Sequence, residues 1–439
     1  MDGSAKLDTV TEAATCAPSW LTSLREGAGL DRRCAVIYGG IFLALEIAVF
    51  LFLIAGTHGW IVPLDRPTTT DFASFYAAGS LTDAGTPQLA YDQAAHYAAE
   101  QQATAPGIEY QFFYYPPVFL LICALFGRLP YLAAFIAFEA TTLLAGLLVA
   151  RGILNQKGWT IWVPLLAFPA VFWTLGLGQN AFLTAALFGG ALLLIDRRPV
   201  LAGILFGMLC YKPHFGLLVP VALAAGGRWR AFAAAALSAA ALVILSATVL
   251  GWQSWQAFLA LAGGSHATYE SGRIDFSGFV TLFGAIRLMD GNAVLAYGMQ
   301  ALGALAAMAL VAFVWRCNLS LAVRAAALAA ATLIAVPVAL VYDFLIAGIA
   351  MAWLIRAGSE DGFLPWEKAT LAAIFVTPLL SRNIGTALHM PIVPLALAAL
   401  LALIVRRARS ELVRRYGNAP LLRCAILGSR LDCTAVSIR

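Results

Sequence analysis

The sequence predicts an all-α integral membrane protein that crosses the bilayer many times. Three observations predict it. The 439 residues are 61% apolar and only 12% charged, where a soluble globular chain has roughly 45–50% apolar and about 25% charged residues. The mean hydropathy is +0.83. Long apolar runs alternate with short charged turns, a pattern of helices; a transmembrane β-barrel would show short alternating segments instead. This composition excludes a soluble enzyme, a nucleic-acid binder and a disordered scaffold. The net charge of +5 matters less than where the charges fall.

The first span is expected at Cys34 to Gly56. Lys6, Arg25, Arg32 and Arg33 precede it, which puts the N-terminus on the cytoplasmic side. A long outer loop, about 57–111, follows. A second span from Phe112 is expected to end at a cytoplasmic turn, Gly127-Arg128-Leu129-Pro130. A third, from Tyr131 to Leu154, leads out again. Trp159–Leu175 is then read as a piece dipping in from outside, and Asn180–Ile195 as a crossing that ends at Asp196-Arg197-Arg198. Pro199–Tyr211 and Phe215–Ala225 read as half-helices broken at Lys212-Pro213-His214. Broken helices are tolerated in a membrane only where protein or a wet cavity encloses them.

Ala231–Leu250 leads out, and Phe276–Asp290 is amphipathic. Later apolar runs bring the chain back to a basic tail. In this scheme only Arg66, Arg151, Lys157, Arg273, Arg287 and Arg382, of 28 Lys and Arg, lie in outer loops. The expected organisation is a cytoplasmic N-terminal tail (1–33), a polytopic domain (34–405) and a basic cytoplasmic tail (406–439). The seven cysteines have no metal-type spacing and none lies in an assigned outer loop, so no disulfide is expected.

The chemistry is concentrated near the outer face. Asp71 stands just beyond the first span, followed by Phe75 and Tyr76. Tyr110 to Tyr115 opens the second span. A carboxylate among aromatic rings suits sugar handling: rings cover the apolar faces of a pyranose, and the carboxylate accepts a hydroxyl proton. An aromatic belt with Asp71 as a helix cap accounts for the same residues.

The shared elements Asp71-Phe72-x-x-Phe75-Tyr76-x-Ala78-Gly79, Leu89-x-Tyr91-Asp92, Tyr115-Pro116-Pro117, Gly178-Gln179-Asn180, and Gly203 leading to Lys212-Pro213 resemble glycosyltransferase family 87. These are polyprenol-phosphate-mannose-dependent mannosyltransferases of the GT-C superfamily. The elements occur in the family's order and cover about residues 34–230. The resemblance implies a GT-C-type helical bundle with its active site on the outer, periplasmic face of the cell (inner) membrane. It implies transfer of a hexose, mannose by analogy, from a polyprenyl-phosphate sugar to a lipid or glycan acceptor, with inversion, and Asp71 matches the family's general base. One departure is plain: Tyr342-Asp343 stands where family members carry an aromatic with one or two His.

Lys212 is the leading candidate to face the donor phosphate, with His214, Arg273 and Arg382 behind it. Gln179 and Asn180 are candidates for sugar hydroxyls. Phe75, Tyr76, Tyr115, Tyr342 and Asp343 complete the candidate substrate-binding set. No metal site and no cofactor are expected, the lipid-linked sugar being a substrate; membrane lipids are expected partners and nucleic acid is not. Two rivals stand beside this reading. One is a transporter or lipid flippase using Glu46, Glu139 and Lys212, with either acid as a partner for the lysine. The other is a GT-C enzyme that moves a pentose or glucose.

Overall fold

The computed structural model describes residues 19–55, 62–64, 66–68, 70–270 and 275–417. It is an all-α, polytopic membrane protein. Among the described residues six helices are long and apolar enough to cross a membrane, and seven if one bent pair counts as a single span. Among the described residues the only strands are a small antiparallel hairpin of Val62–Leu64 and Arg66–Thr68.

The chain begins with α1 (Ser19–Glu26) and α2 (Arg32–Ala55). α3 (Phe72–Asp83), α4 (Gln93–Ala103) and α5 (Pro117–Gly127) follow, and then the long α6 (Tyr131–Leu154). This stretch corrects the expected topology. Arg32 donates to Gln156 Oε1 (3.4 Å) and Thr160 Oγ1 (3.1 Å), so the far end of α6 lies beside the start of α2. The near end lies beside Asp71: Tyr131 and Thr70 hydroxyls are 3.2 Å apart, and Tyr76 donates to Leu129 O at 2.8 Å. The turn 128–130 therefore sits on the Asp71 face, where Arg128 pairs with Asp83 at 2.7 Å.

The second run is not a crossing. Pro116-Pro117 delays the helix start, and the 11 residues of α5 reach only about 16 Å, half of a hydrocarbon core. α5 instead lies along α3. A Cβ at Gly79 would run into the Cys123 carbonyl, and one at Gly127 would lie 2.6 Å from the Gly79 carbonyl carbon, so two glycines bring the backbones together. α6 then runs opposite to the expected direction. Arg151 and Lys157 move to the Arg32 face, and Arg128 leaves it.

The return is α7 (Trp162–Leu166) and α8 (Pro169–Leu177), bent by 65°. Phe168, held extended before Pro169, makes the bend. The pair follows α2 along its length, Gly39 against Pro164 and Phe50 against Phe172. It is a broken span leading from the Arg32 face to Asp71, not a piece dipping in from the Asp71 side.

α9 (Ala181–Leu194) leads back to Asp196. α10 (Pro199–Met208) and α11 (Val219–Ala225) are the two expected half-helices, joined through short 3-10 turns around Lys212. They return to Arg228, which pairs with Asp196 at 2.5 Å, so both ends of this excursion lie on one face. α12 (Trp229–Leu250) climbs beside α10 and α13 (Trp252–Glu270) follows. The expected amphipathic segment is a 3-10 turn (Phe276–Gly278) and the short α14 (Leu282–Leu288).

α15 (Ala293–Arg316) and α16 (Leu321–Ala335) lead to a second break at Val336–Leu340 and a 3-10 turn, Val341–Phe344. α17 (Leu345–Asp361), α18 (Glu367–Leu388) and α19 (Ile392–Tyr416) complete the bundle around one large apolar core.

Both expected tails contain structure. α1 docks through the Arg25 carbonyl, which accepts from Trp366 N at 2.6 Å. α19 runs past 405, and Arg407, 1% exposed, pairs with Glu367. Part of the basic tail is therefore core rather than membrane anchor. Cys317 is disulfide-bonded, contrary to the expectation of no disulfide.

Candidate active site

Three chain breaks meet where the site forms: the turn after α8, the Lys212 break and the break before α17. Gly178 ends α8 at φ +66°, and a Cβ there would meet the Phe72 Cβ at 2.7 Å. Glycine thus allows both the turn and its contact with α3. The Asp71 N–H donates to Leu177 O at 2.8 Å, tying the start of α3 to this turn. The Asp71 carboxylate makes no capping bond to its own helix. Its Oδ2 accepts from Gln179 Nε2 at 2.6 Å instead.

From there a continuous chain of hydrogen bonds leads inward. Gln179 Oε1 accepts from the Tyr115 hydroxyl and from Asn180 N, both at 3.3 Å. Lys212 Nζ donates to Asn180 Oδ1 (3.2 Å) and to Asp343 Oδ1 (2.7 Å). Asp343 Oδ2 accepts from Leu340 N at 3.2 Å. Lys212 also stands over the rings of Phe215 and Tyr342, 5.1 and 5.3 Å from their centroids. Gln179, Asn180, Lys212 and Asp343 are all buried, and Asn180 Nδ2 has no hydrogen-bond partner.

Burial pushes the Asp71 carboxyl up to about 6. The Gln179 hydrogen bond and then the Lys212 charge pull it down, while Glu109 pushes it up. Such a group is ionised at neutral pH yet basic enough to take a proton from a hydroxyl under attack.

The structure brings Asp71, Tyr115, Gln179, Asn180, Lys212, Tyr342 and Asp343 together. Phe75 supports them from below: it is buried against Tyr115 and Phe119, at centroid distances of 5.3 and 5.1 Å. Tyr76 is not part of the group, because its hydroxyl is committed to Leu129 O on the other side of α3. His214 packs on Phe215 beside the lysine. Arg273 lies outside the described residues. Arg382 pairs with Asp275 at 3.4 Å.

The lysine's partner is Asp343, 131 positions away, and neither of the acids expected for it. Both Glu139 oxygens and one of Glu46 are buried with no hydrogen-bond partner. Among the described residues no group of three or more His, Cys, Asp or Glu is placed to hold a metal ion.

Sequence reasoning missed the support of the loop. His96 Nε2 lies 3.0 Å from Ser74 O, and Glu100 Oε2 accepts from Gln111 N at 3.1 Å. Both side chains are fully buried. Their i,i+4 spacing on α4 was the available signal. Burial holds His96 down at about 4 and pushes Glu100 up to about 8. Asp92, by contrast, caps α4 through Ala95 N at 2.9 Å.

The family model of glycosyltransferase family 87 matches residues 113–341. The chain belongs to glycosyltransferase family 87. The matched range includes Tyr115, Gln179, Asn180 and Lys212; Asp71 precedes it, and Tyr342-Asp343 follows directly. This family 87 chain is thus a membrane glycosyltransferase, whose substrates are a sugar donor and an acceptor. No curated protein and no solved structure matches it.

Proposed function

We propose that this glycosyltransferase moves a hexose, mannose by analogy, from a polyprenyl-phosphate sugar to a hydroxyl of a lipid or glycan acceptor. In this reading transfer occurs on the outer face of the membrane with inversion at the anomeric carbon. The observation that carries it is the buried chain from the Asp71 carboxylate to the Lys212 ammonium.

Asp71 Oδ2 is held by Gln179, which leaves Oδ1 for the acceptor hydroxyl. The acceptor oxygen attacks the anomeric carbon, its proton passes to Asp71, and the bond to the phosphate oxygen breaks with its electron pair. An ammonium has three donors. Lys212 gives two to Asn180 and Asp343, and the third supports the departing phosphate. Asn180 Nδ2 offers a further donor to a sugar hydroxyl.

The transporter alternative needs Glu46, Glu139 and Lys212 on one polar path. Lys212 is already bound to Asp343, and the two glutamates make no hydrogen bond to it.

The test is purified protein given radiolabelled polyprenyl-phosphate mannose and a membrane lipid extract, beside Asp71→Asn. Label should move to a new glycolipid or glycan with the wild type only. Equal transfer by both would remove Asp71 as base. Consumption of a glucosyl or pentosyl donor instead would replace the sugar and keep the chemistry.

A further inference from the structure

Two buried polar atoms on α4 face each other. His96 Nδ1 and Glu100 Oε1 are 3.6 Å apart, both side chains are 0% exposed, and neither atom has a hydrogen-bond partner. The rest of each group is committed. His96 Nε2 lies 3.0 Å from Ser74 O. A carbonyl oxygen cannot donate, so Nε2 carries the hydrogen, and Nδ1 of the neutral ring presents a lone pair. Glu100 Oε2 accepts from Gln111 N at 3.1 Å, which leaves Oε1 to meet that lone pair.

Donor arithmetic then fixes the protonation of the pair. An ionised Glu100 beside a neutral His96 would set two acceptors against each other with no donor for either. One proton between Oε1 and Nδ1 satisfies both. Two fully buried groups hold it at least cost as a neutral acid and a neutral ring, because an imidazolium and a carboxylate would both have to be desolvated. Asp71, Tyr110 and Tyr131 are the titratable groups whose charges couple to Glu100. None of the three is a cation that would favour its ionisation.

What the pair grips decides its use. Ser74 stands in the first turn of α3, and its N–H donates to Asp71 O at 3.1 Å. Its hydroxyl donates to Phe112 O at 3.4 Å. Gln111 opens the segment that carries Tyr115 to Gln179. His96 thus holds the turn that bears Asp71, and Glu100 holds the segment that bears Tyr115.

We propose that His96 and Glu100 are positioning residues for Asp71, and that they act only while one proton is shared between them. This inference rests on the hexosyl-transfer reading above. With the proton in place, the pair locks the 110–115 segment to α3, and Asp71 and Tyr115 meet Gln179 in register. Without it, lone pair faces lone pair, the side chains part, and the grip on Ser74 and Gln111 loosens. Burial pushes the Glu100 carboxyl up to about 8, so the proton is present at neutral pH and leaves on the alkaline side.

The experiment is the pH profile of transfer from polyprenyl-phosphate mannose, with the full chain in detergent, for the wild type, Glu100→Gln and His96→Phe. The wild type should lose kcat along an alkaline limb near pH 8. Glu100→Gln supplies a permanent N–H to His96 and keeps an acceptor for Gln111 N. It should retain transfer at neutral pH, keep the acid limb set by Asp71, and lack the alkaline limb. His96→Phe keeps a ring against Tyr110 and Phe113 but releases Ser74. It should lower kcat by roughly 10–100-fold, the scale of a misplaced reacting group, with donor KM unchanged. An infrared difference spectrum, wild type minus Glu100→Gln, reads the proton without turnover. The carbonyl band of a protonated carboxyl should be present at neutral pH and lost on the alkaline side.

A wild-type profile flat through about pH 9 overturns the proposal, as does an alkaline limb that survives in Glu100→Gln. A folded Glu100→Gln that is inactive at every pH would put the acid itself in the chemistry and overturn it too. Absence of the infrared band at neutral pH removes the shared proton. If the wild type transfers no lipid-linked sugar at any pH, the parent reading fails and takes the positioning role with it, while the infrared band still decides the proton by itself.

Discussion

Gln179 Nε2 lies 2.6 Å from Asp71 Oδ2, while Tyr115 and Asn180 both donate to the other end of the same amide. Two donors on Oε1 fix which way the amide points, so its N–H₂ group must face the carboxylate. A carboxylate held by one oxygen presents the other in a defined direction.

Replacing Asp71 by Asn should reduce transfer by about 10²–10⁴-fold, the usual range for a lost general base. The fold should not suffer. The Asp71 carboxyl is raised from 3.8 to about 6, so the folded state prefers it protonated. Its ionisation therefore removes stability as pH rises across that interval. At pH 7.5 the Asn variant should unfold at the same temperature as the wild type or higher. A variant that is inactive because it has melted would remove the catalytic assignment.

The pH profile isolates the role of Gln179. Single-turnover transfer should rise along an acid limb centred near pH 6, where Asp71 ionises. Gln179→Leu removes the hydrogen bond that lowers this value, so the limb should move to higher pH. Tyr115→Phe should move it the same way but less, since it acts through the amide. An unchanged limb in Gln179→Leu would make the glutamine a sugar ligand only.

Lys212 and Asp343 form an ion pair at 2.7 Å, with side chains 5% and 2% exposed. Lys212→Met should destabilise the protein by about 3–5 kcal/mol, because it leaves an uncompensated buried carboxylate. The double variant Lys212→Met/Asp343→Leu should recover most of that loss, since neither charge remains. It should stay inactive, because the phosphate has lost its cation. Thermal unfolding in detergent and a transfer assay separate the two effects; an active double variant would take the lysine out of the mechanism.

Arg407 and Glu367 are a second buried pair, at 2.5 Å and on the face away from Asp71. Arg407→Met should cost a similar ~3–5 kcal/mol. Activity per folded molecule should be unchanged, which distinguishes this pair from Lys212 and Asp343.

The corrected topology is open to labelling. In closed membrane vesicles, Arg128→Cys and Lys157→Cys should react with an impermeant maleimide from opposite sides. Arg128→Cys should share the side of Asp83→Cys. Labelling of Arg128→Cys and Lys157→Cys from one side would mean that α6 does not cross.

Composition alone determined that this chain is a helical membrane protein. Apolar surface in this amount has only lipid to face, and helices satisfy their own hydrogen bonds there. Local chemistry determined more. Lys212-Pro213 marks a helix break, because a residue before proline avoids the α-region, and α4 lies at Gln93–Ala103, as its alanines suggest. The motifs Asp71, Gln179-Asn180 and Lys212-Pro213 were legible one at a time.

Their assembly was not. Asp343 pairs with Lys212 across 131 positions and Gln179 meets Asp71 across 108; no local propensity encodes such partners. The direction of α6 was equally hidden. Hydropathy counts apolar residues and does not tell lipid from protein as the neighbour. α5 is apolar because it packs on α3 through Gly79 and Gly127, and that contact, with a helix of only 11 residues, shows that it does not cross.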